Sequence, residues 1–136
     1  MPRSKRLWWL PALLVGFLLP VSGCSTGAVR CEKAFAAAAM SVDGVTSAVW
    51  DCSEQFGGGW QRGDVVLEAA DKAEATTVME AVMRAFAASP DIEDRWSTPQ
   101  EYRTHDRSIV VGAGALGFNG PPRVGEVREH FGITPE

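Results

Sequence analysis

The sequence is poor in the residues on which most site chemistry depends. It holds one tyrosine, two histidines and three cysteines in 136 residues. Two histidines with no C-x-x-C and no H-x3-H spacing leave little from which to build a zinc site. No surplus of basic residues exists: 13 stand against 17 acids, a formal charge of −4, so there is no stripe to neutralise nucleic-acid phosphates. No apolar run reaches the roughly 20 residues that span a bilayer as a helix. The length allows one domain and excludes a two-domain enzyme. With 46% hydrophobic and 22% charged residues, the chain is composed like an ordinary globular protein.

What is present begins at the N-terminus. Arg3, Lys5 and Arg6 precede a thirteen-residue apolar stretch, Leu7 to Leu19, interrupted by Pro11. A basic start, a short apolar core and small residues at Ser22 and Gly23 have the form of an export signal. The tetrad Val21-Ser22-Gly23-Cys24 resembles the lipobox of bacterial lipoproteins, a resemblance confined to residues 1–24. It implies that the Cys24 thiol receives a diacylglyceryl group and that cleavage makes Cys24 the new N-terminus. The organisation expected is a signal peptide over 1–23, a short tether over 24–30 and a single domain over 31–136. The membrane, reached through the lipid on Cys24, is the expected partner, with a second envelope protein as a further candidate; no nucleic acid and no cofactor are expected. Without residues 1–23, 113 residues remain, with 17 acids against 10 bases and a formal charge of −7. Such a body is repelled by an anionic bilayer surface, so the acyl chains alone would hold it there.

Two cysteines then remain, Cys31 and Cys52. Export places them in an oxidising compartment, where a pair is expected to bridge. Residues Cys31 to Met40 read as a helix with Cys31, Phe35, Ala38 and Ala39 on one side. Asp43-Gly44 reads as a turn, and Val45 to Cys52 as a strand. A helix running up and a strand running down return both thiols to one end. The alternatives are two free buried thiols or a metal pair, the latter without supporting spacing.

Glu54 to Gly63, with three consecutive glycines, reads as a hairpin connection, because no Gly-Lys-Ser/Thr follows to make it a phosphate loop. Asp64 to Ala70 reads as the second strand. Asp71 with Glu74 has the spacing of a capping box opening a helix over Lys72 to Ala88, with Val78, Met79, Val82, Ala85 and Phe86 as its apolar stripe. Ser89-Pro90 ends it. Residues 91–107 read as a polar loop with a possible strand over Glu101 to Thr104; Ser108 to Leu116 reads as the last clear strand. Val124, Val127 and Phe131 mark a short final helix, with Gly132 placed to cap it.

This order predicts an α+β two-layer sandwich: an antiparallel sheet of three to four strands with two helices on one face, partly ferredoxin-like. No nucleophile, base and orienting acid stand in a motif. Ser97 and Ser108 join His105 and Asp106 as a triad by residue type only, and no catalytic residue is assigned. The expectation is a lipid-anchored extracytoplasmic binding or interaction module at the cell membrane, not an enzyme. Two alternatives remain open. One is a small envelope enzyme or ligand-binding protein using the 95–107 loop, with Trp96, Tyr102 and His105 as its ligand residues. The other is a structural envelope lipoprotein.

Overall fold

The computed structural model describes residues 26–54 and 59–136. The signal, the lipobox cysteine and the middle of the Gly-rich connection lie outside the described residues.

Helix α1 spans Thr26–Met40, then β1 spans Val45–Ser53, β2 Trp60–Leu67 and α2 Lys72–Ala88. Strands β3 (Tyr102–Thr104) and β4 (Val110–Val111), a 3-10 turn over Ala113–Leu116 and α3 (Val124–Phe131) complete the order. The architecture is α+β. The four strands lie in chain order, β1-β2-β3-β4.

The sheet is mixed and not wholly antiparallel as expected. β1 and β2 pair antiparallel, as do β3 and β4, but β2 and β3 run parallel. The reason is the connection. A tight turn reverses a chain, whereas α2 carries it back to the end from which β2 started, so β3 must run beside β2 in the same direction.

Alternation sorts each strand. Ala48, Trp50 and Cys52 of β1 lie opposite Val65, Gly63 and Gln61 of β2 and share the inner face; Val49, Asp51 and Ser53 share the outer face with Asp64, Arg62 and Trp60. The inner face meets α1 and α2 in a core centred on four aromatic rings. Phe35 stacks on Trp50 with centroids 5.0 Å apart, meets Phe86 edge-on at 5.1 Å and lies 5.9 Å from Trp96. Gly63 is required here: a Cβ on it would stand 2.4 Å from the Trp50 indole.

Helix α2 has the expected bounds. Asp71 Oδ1 accepts from the Glu74 N–H at 2.8 Å, while the Glu74 carboxylate takes the Ala70 N–H at 3.0 Å, one residue before the cap. Its buried stripe is Ala75, Met79, Val82, Met83, Phe86 and Ala87. The stripe is rotated from the expected one, so Met83 and Ala87 replace Val78 and Ala85. α3 ends as expected, on Gly132 at φ 65°.

Cys31 and Cys52 form a disulfide, with Cα atoms 6.3 Å apart. It ties the first turns of α1 to the end of β1 across a separation of 21 residues. A loop of that size contributes about 3 kcal/mol in the chain-entropy picture. Reduction is therefore expected to lower the thermal midpoint by roughly 10–20 °C, read by calorimetry with and without reductant.

Three boundaries differ from expectation. The second strand, expected over Asp64 to Ala70, runs over Trp60–Leu67, so the end of the expected hairpin connection is strand. α1 begins at Thr26, so residues 26–30 of the expected tether are helical; Arg30 there pairs with Glu93 at 3.7 Å. The strand expected over Ser108 to Leu116 shrinks to Val110–Val111, and the chain then coils through Ala113–Leu116. Its partner β3 is only three residues long, and Pro99 upstream offers no N–H to prolong a ladder. Among the described residues no helix is long and apolar enough to cross a membrane.

Candidate functional site

The three residues expected to make a ligand loop are not brought together. Trp96 is 1% exposed and Tyr102 fully buried, so both rings belong to the core and neither offers a flat face to a ligand. This corrects the expectation. The period-2 signal was present for Tyr102, because a strand over Glu101 to Thr104 turns alternate residues inward. Burial pushes the Tyr102 phenol well above its ordinary range, and its hydroxyl has no hydrogen-bond partner among the described residues.

His105 lies exposed on the turn between β3 and β4, beside a shallow hollow lined by Thr46, Leu67, Glu68 and Ser108. Asp106 organises this turn. Its Oδ1 accepts from the Ser108 N–H at 3.0 Å, from the Ser108 hydroxyl at 2.8 Å and from the Thr104 hydroxyl at 2.8 Å. Ser108 thus donates to Asp106 and not to an imidazole, and the residues named for a triad are arranged as a turn. These bonds, led by the Ser108 N–H, favour the carboxylate and hold Asp106 at about 2. A depressed carboxyl supports the fold above its ordinary value and loses that support as pH falls through its folded value. The turn is therefore expected to stay intact at pH 4 and to loosen between pH 4 and about 2. An NMR titration of the Asp106 carboxyl, with the Ser108 amide as reporter, checks this. A midpoint near 4 would contradict it.

The better-formed concavity is a cleft of about 540 Å³, within the roughly 300–1,000 Å³ of small-ligand sites. One wall is Gly59 with the first half of β2, Trp60 to Gly63; the other is the segment Ser97 to Glu101 with Pro121. It exists because two neighbours part company. The parallel ladder begins at Val65 opposite Tyr102, and upstream of that pair β2 and the approach to β3 diverge. The far wall cannot complete the ladder. The Ser97 N–H goes to Gln61 Oε1 at 2.8 Å, and the Thr98 N–H and hydroxyl both go to Pro122 O, at 3.0 and 2.7 Å. Pro99 has no N–H.

β2 therefore keeps an open edge. The Glu68 N–H bonds to Gly44 O, and Val66 O accepts from the Thr46 hydroxyl, both on the β1 side. Two-residue alternation then turns the N–H and C=O of Gln61 and Gly63 toward the cleft. Among the described residues, no backbone group bonds to them across it. At the mouth stands Trp60, 37% exposed, with the Arg62 guanidinium 4.5 Å above its ring. Arg62 forms no ion pair among the described residues, whereas nearby Glu101 is held by Arg107 at 3.3 Å and Glu54 by Arg95 at 3.6 Å. None of this is apparent in the sequence, where 54–63 reads as a hairpin connection, whereas Trp60 to Gly63 are strand. The available signal is the polar and aromatic run Trp60-Gln61-Arg62 two residues ahead of the apolar Val65-Val66-Leu67.

No protein-family model matches the chain, and no curated protein or solved structure matches it.

Proposed function

We propose that the protein is a lipid-anchored extracytoplasmic binding module, held at the cell membrane through Cys24, with the β2 cleft as its binding site. The observation that carries the binding reading is the open edge at Gln61 and Gly63, because polar backbone groups in a partly enclosed cleft are satisfied only by water or by a ligand. The export reading is supported by the Cys31–Cys52 disulfide. That bridge uses two of the three cysteines and leaves Cys24 as the odd one, at the position where the lipobox resemblance requires it.

The anchor follows from arithmetic. Each buried acyl methylene contributes about 0.8 kcal/mol, so one chain binds a bilayer reversibly and two or more on one cysteine bind it durably. α1 begins two residues after Cys24, so the body would ride close to the lipid surface. Its formal charge of −7 would keep it from lying flat on anionic headgroups.

Cys24→Ala tests the anchor. Metabolic labelling with a radioactive fatty acid is expected to mark the natural chain and to fall to background in the variant, which leaves the membrane fraction. A variant that stays membrane-bound, beside a natural chain that takes up no label, would overturn the lipid reading and leave the cleft untouched.

A further inference from the structure

The ligand class of the cleft can be read from its open edge, on the premise that the cleft is a binding site. We infer that it takes a short peptide in extended conformation, laid along β2 as an added strand and preferring an acidic side chain beside Arg62.

The backbone argument comes first. Gln61 and Gly63 each present one N–H and one C=O to the cleft, two residues apart. That is the pattern with which a strand receives a neighbour. A peptide whose first and third residues face them fills all four groups. Its middle residue then lies beside Arg62, with its side chain on the outer face of the sheet. Three residues at about 3.3 Å each span this edge. A sugar or a flat heterocycle has no such matched repeat of donors and acceptors. Main-chain bonding of this type gives affinity, and the side chains at alternate positions give selectivity.

The choice of side chain follows from charge. Glu101, which lines the cleft, already holds Arg107, and Glu54 holds Arg95. Asp51 stands opposite Arg62 on β1 but forms no ion pair with it among the described residues. Arg62 lines the cleft and forms no ion pair among the described residues, and its position over Trp60 holds the guanidinium at the mouth. A carboxylate next to it gains a charge-assisted hydrogen bond that a lysine would replace with repulsion. The Trp60 ring, partly exposed beside it, favours an apolar flank. On the far wall the Ser97 N–H is taken by the Gln61 side chain and the Thr98 hydroxyl by Pro122 O, so neither competes for the β2 backbone.

The test uses the full-length chain in detergent micelles, labelled with ¹⁵N, and four probes. They are a blocked Val-Glu-Val tripeptide, its Val-Lys-Val counterpart, the glutamate peptide N-methylated at both valines, and a chitin-derived trisaccharide. The glutamate peptide is expected to move the amide signals of Gln61 and Gly63. The lysine peptide should bind about three- to tenfold more weakly, and the N-methylated peptide should leave these signals in place. Arg62→Ala, on the exposed face, should erase the difference between glutamate and lysine while binding of the glutamate peptide persists.

An N-methylated peptide that binds as well as its parent would overturn strand addition. So would peptide shifts that spare Gln61 and Gly63. If the trisaccharide moves these amides and the peptides do not, the peptide class is wrong and the cleft remains a binding site. If no probe moves any cleft amide, both this inference and the binding reading fall.

Discussion

Phe35→Ala is expected to destabilise the protein by about 3–5 kcal/mol, the range for removing a fully buried aromatic ring. Phe35 has no exposed surface and touches three other rings. It is the only one of the four that contacts all the others. Trp50 lies parallel to it on the β1 side, Phe86 meets it edge-on from α2, and Trp96 approaches from the loop after α2. Removal would therefore unsettle the sheet, the second helix and the loop together, and the void could not be filled by one neighbour's movement. Domains of this size are typically stable by 5–15 kcal/mol, so the variant would sit near the unfolding threshold. Urea denaturation checks it. Phe35→Leu, which keeps most of the volume, should lose clearly less. If alanine and leucine cost the same, the ring cluster is not the centre of the core.

Arg128→Ala is the second large effect, about 3 kcal/mol. The Arg128 side chain is only 11% exposed and binds the end of α2. Its Nε donates to Ala87 O at 2.9 Å, and one terminal nitrogen donates to Ser89 O at 2.7 Å and to Ile92 O at 2.8 Å. The other terminal nitrogen pairs with Asp94. The last carbonyls of a helix lack partners within it, and a cation at that end also meets the negative pole of the helix. One guanidinium thus satisfies three carbonyls and docks α3 on α2. Alanine would take this donor from the Ala87 and Ile92 carbonyls and leave Ser89 O only the Ile92 N–H at 3.4 Å. Arg128→Lys keeps the charge but lacks the planar fork, and should recover only part of the loss. Lys33→Ala, an exposed cation, should stay within about 0.5 kcal/mol and serves as the control. Equal effects at 128 and 33 would remove Arg128 from the structural account.

Elements whose signals are local were legible in the sequence. Asp71 with Glu74, Ser89-Pro90 and Gly132 mark helix ends through bonds made within a few residues, and the structure has α2 and α3 where those residues place them. The disulfide was legible because helix, turn and strand fix where two thiols return. What the sequence did not disclose depends on distant partners. The parallel pairing of β2 with β3 follows from where α2 delivers the chain, and neither strand carries a mark of it. Val110–Val111 has the composition of a longer strand, but its partner has only three residues to offer.

The site was less legible than the fold. Trp96 and Tyr102 sit in a polar stretch and read as available rings, yet both point into the core. The cleft arises from a divergence between Trp60–Gly63 and Ser97–Glu101, segments some 36 residues apart in the chain. Its cause, the use of Ser97 and Thr98 by other partners and the missing N–H of Pro99, is visible only once those partners are in place.

Export, acylation and the Cys31–Cys52 bridge are read together by one measurement. Protein purified from the membranes of an expressing bacterium, without reductant, would be weighed intact by mass spectrometry. The account requires the mass of residues 24–136 plus a diacylglyceryl group, or that group and a further acyl chain, less the two hydrogens lost in joining Cys31 to Cys52. The mass of the full 136-residue chain, unacylated and with three free thiols, would contradict it.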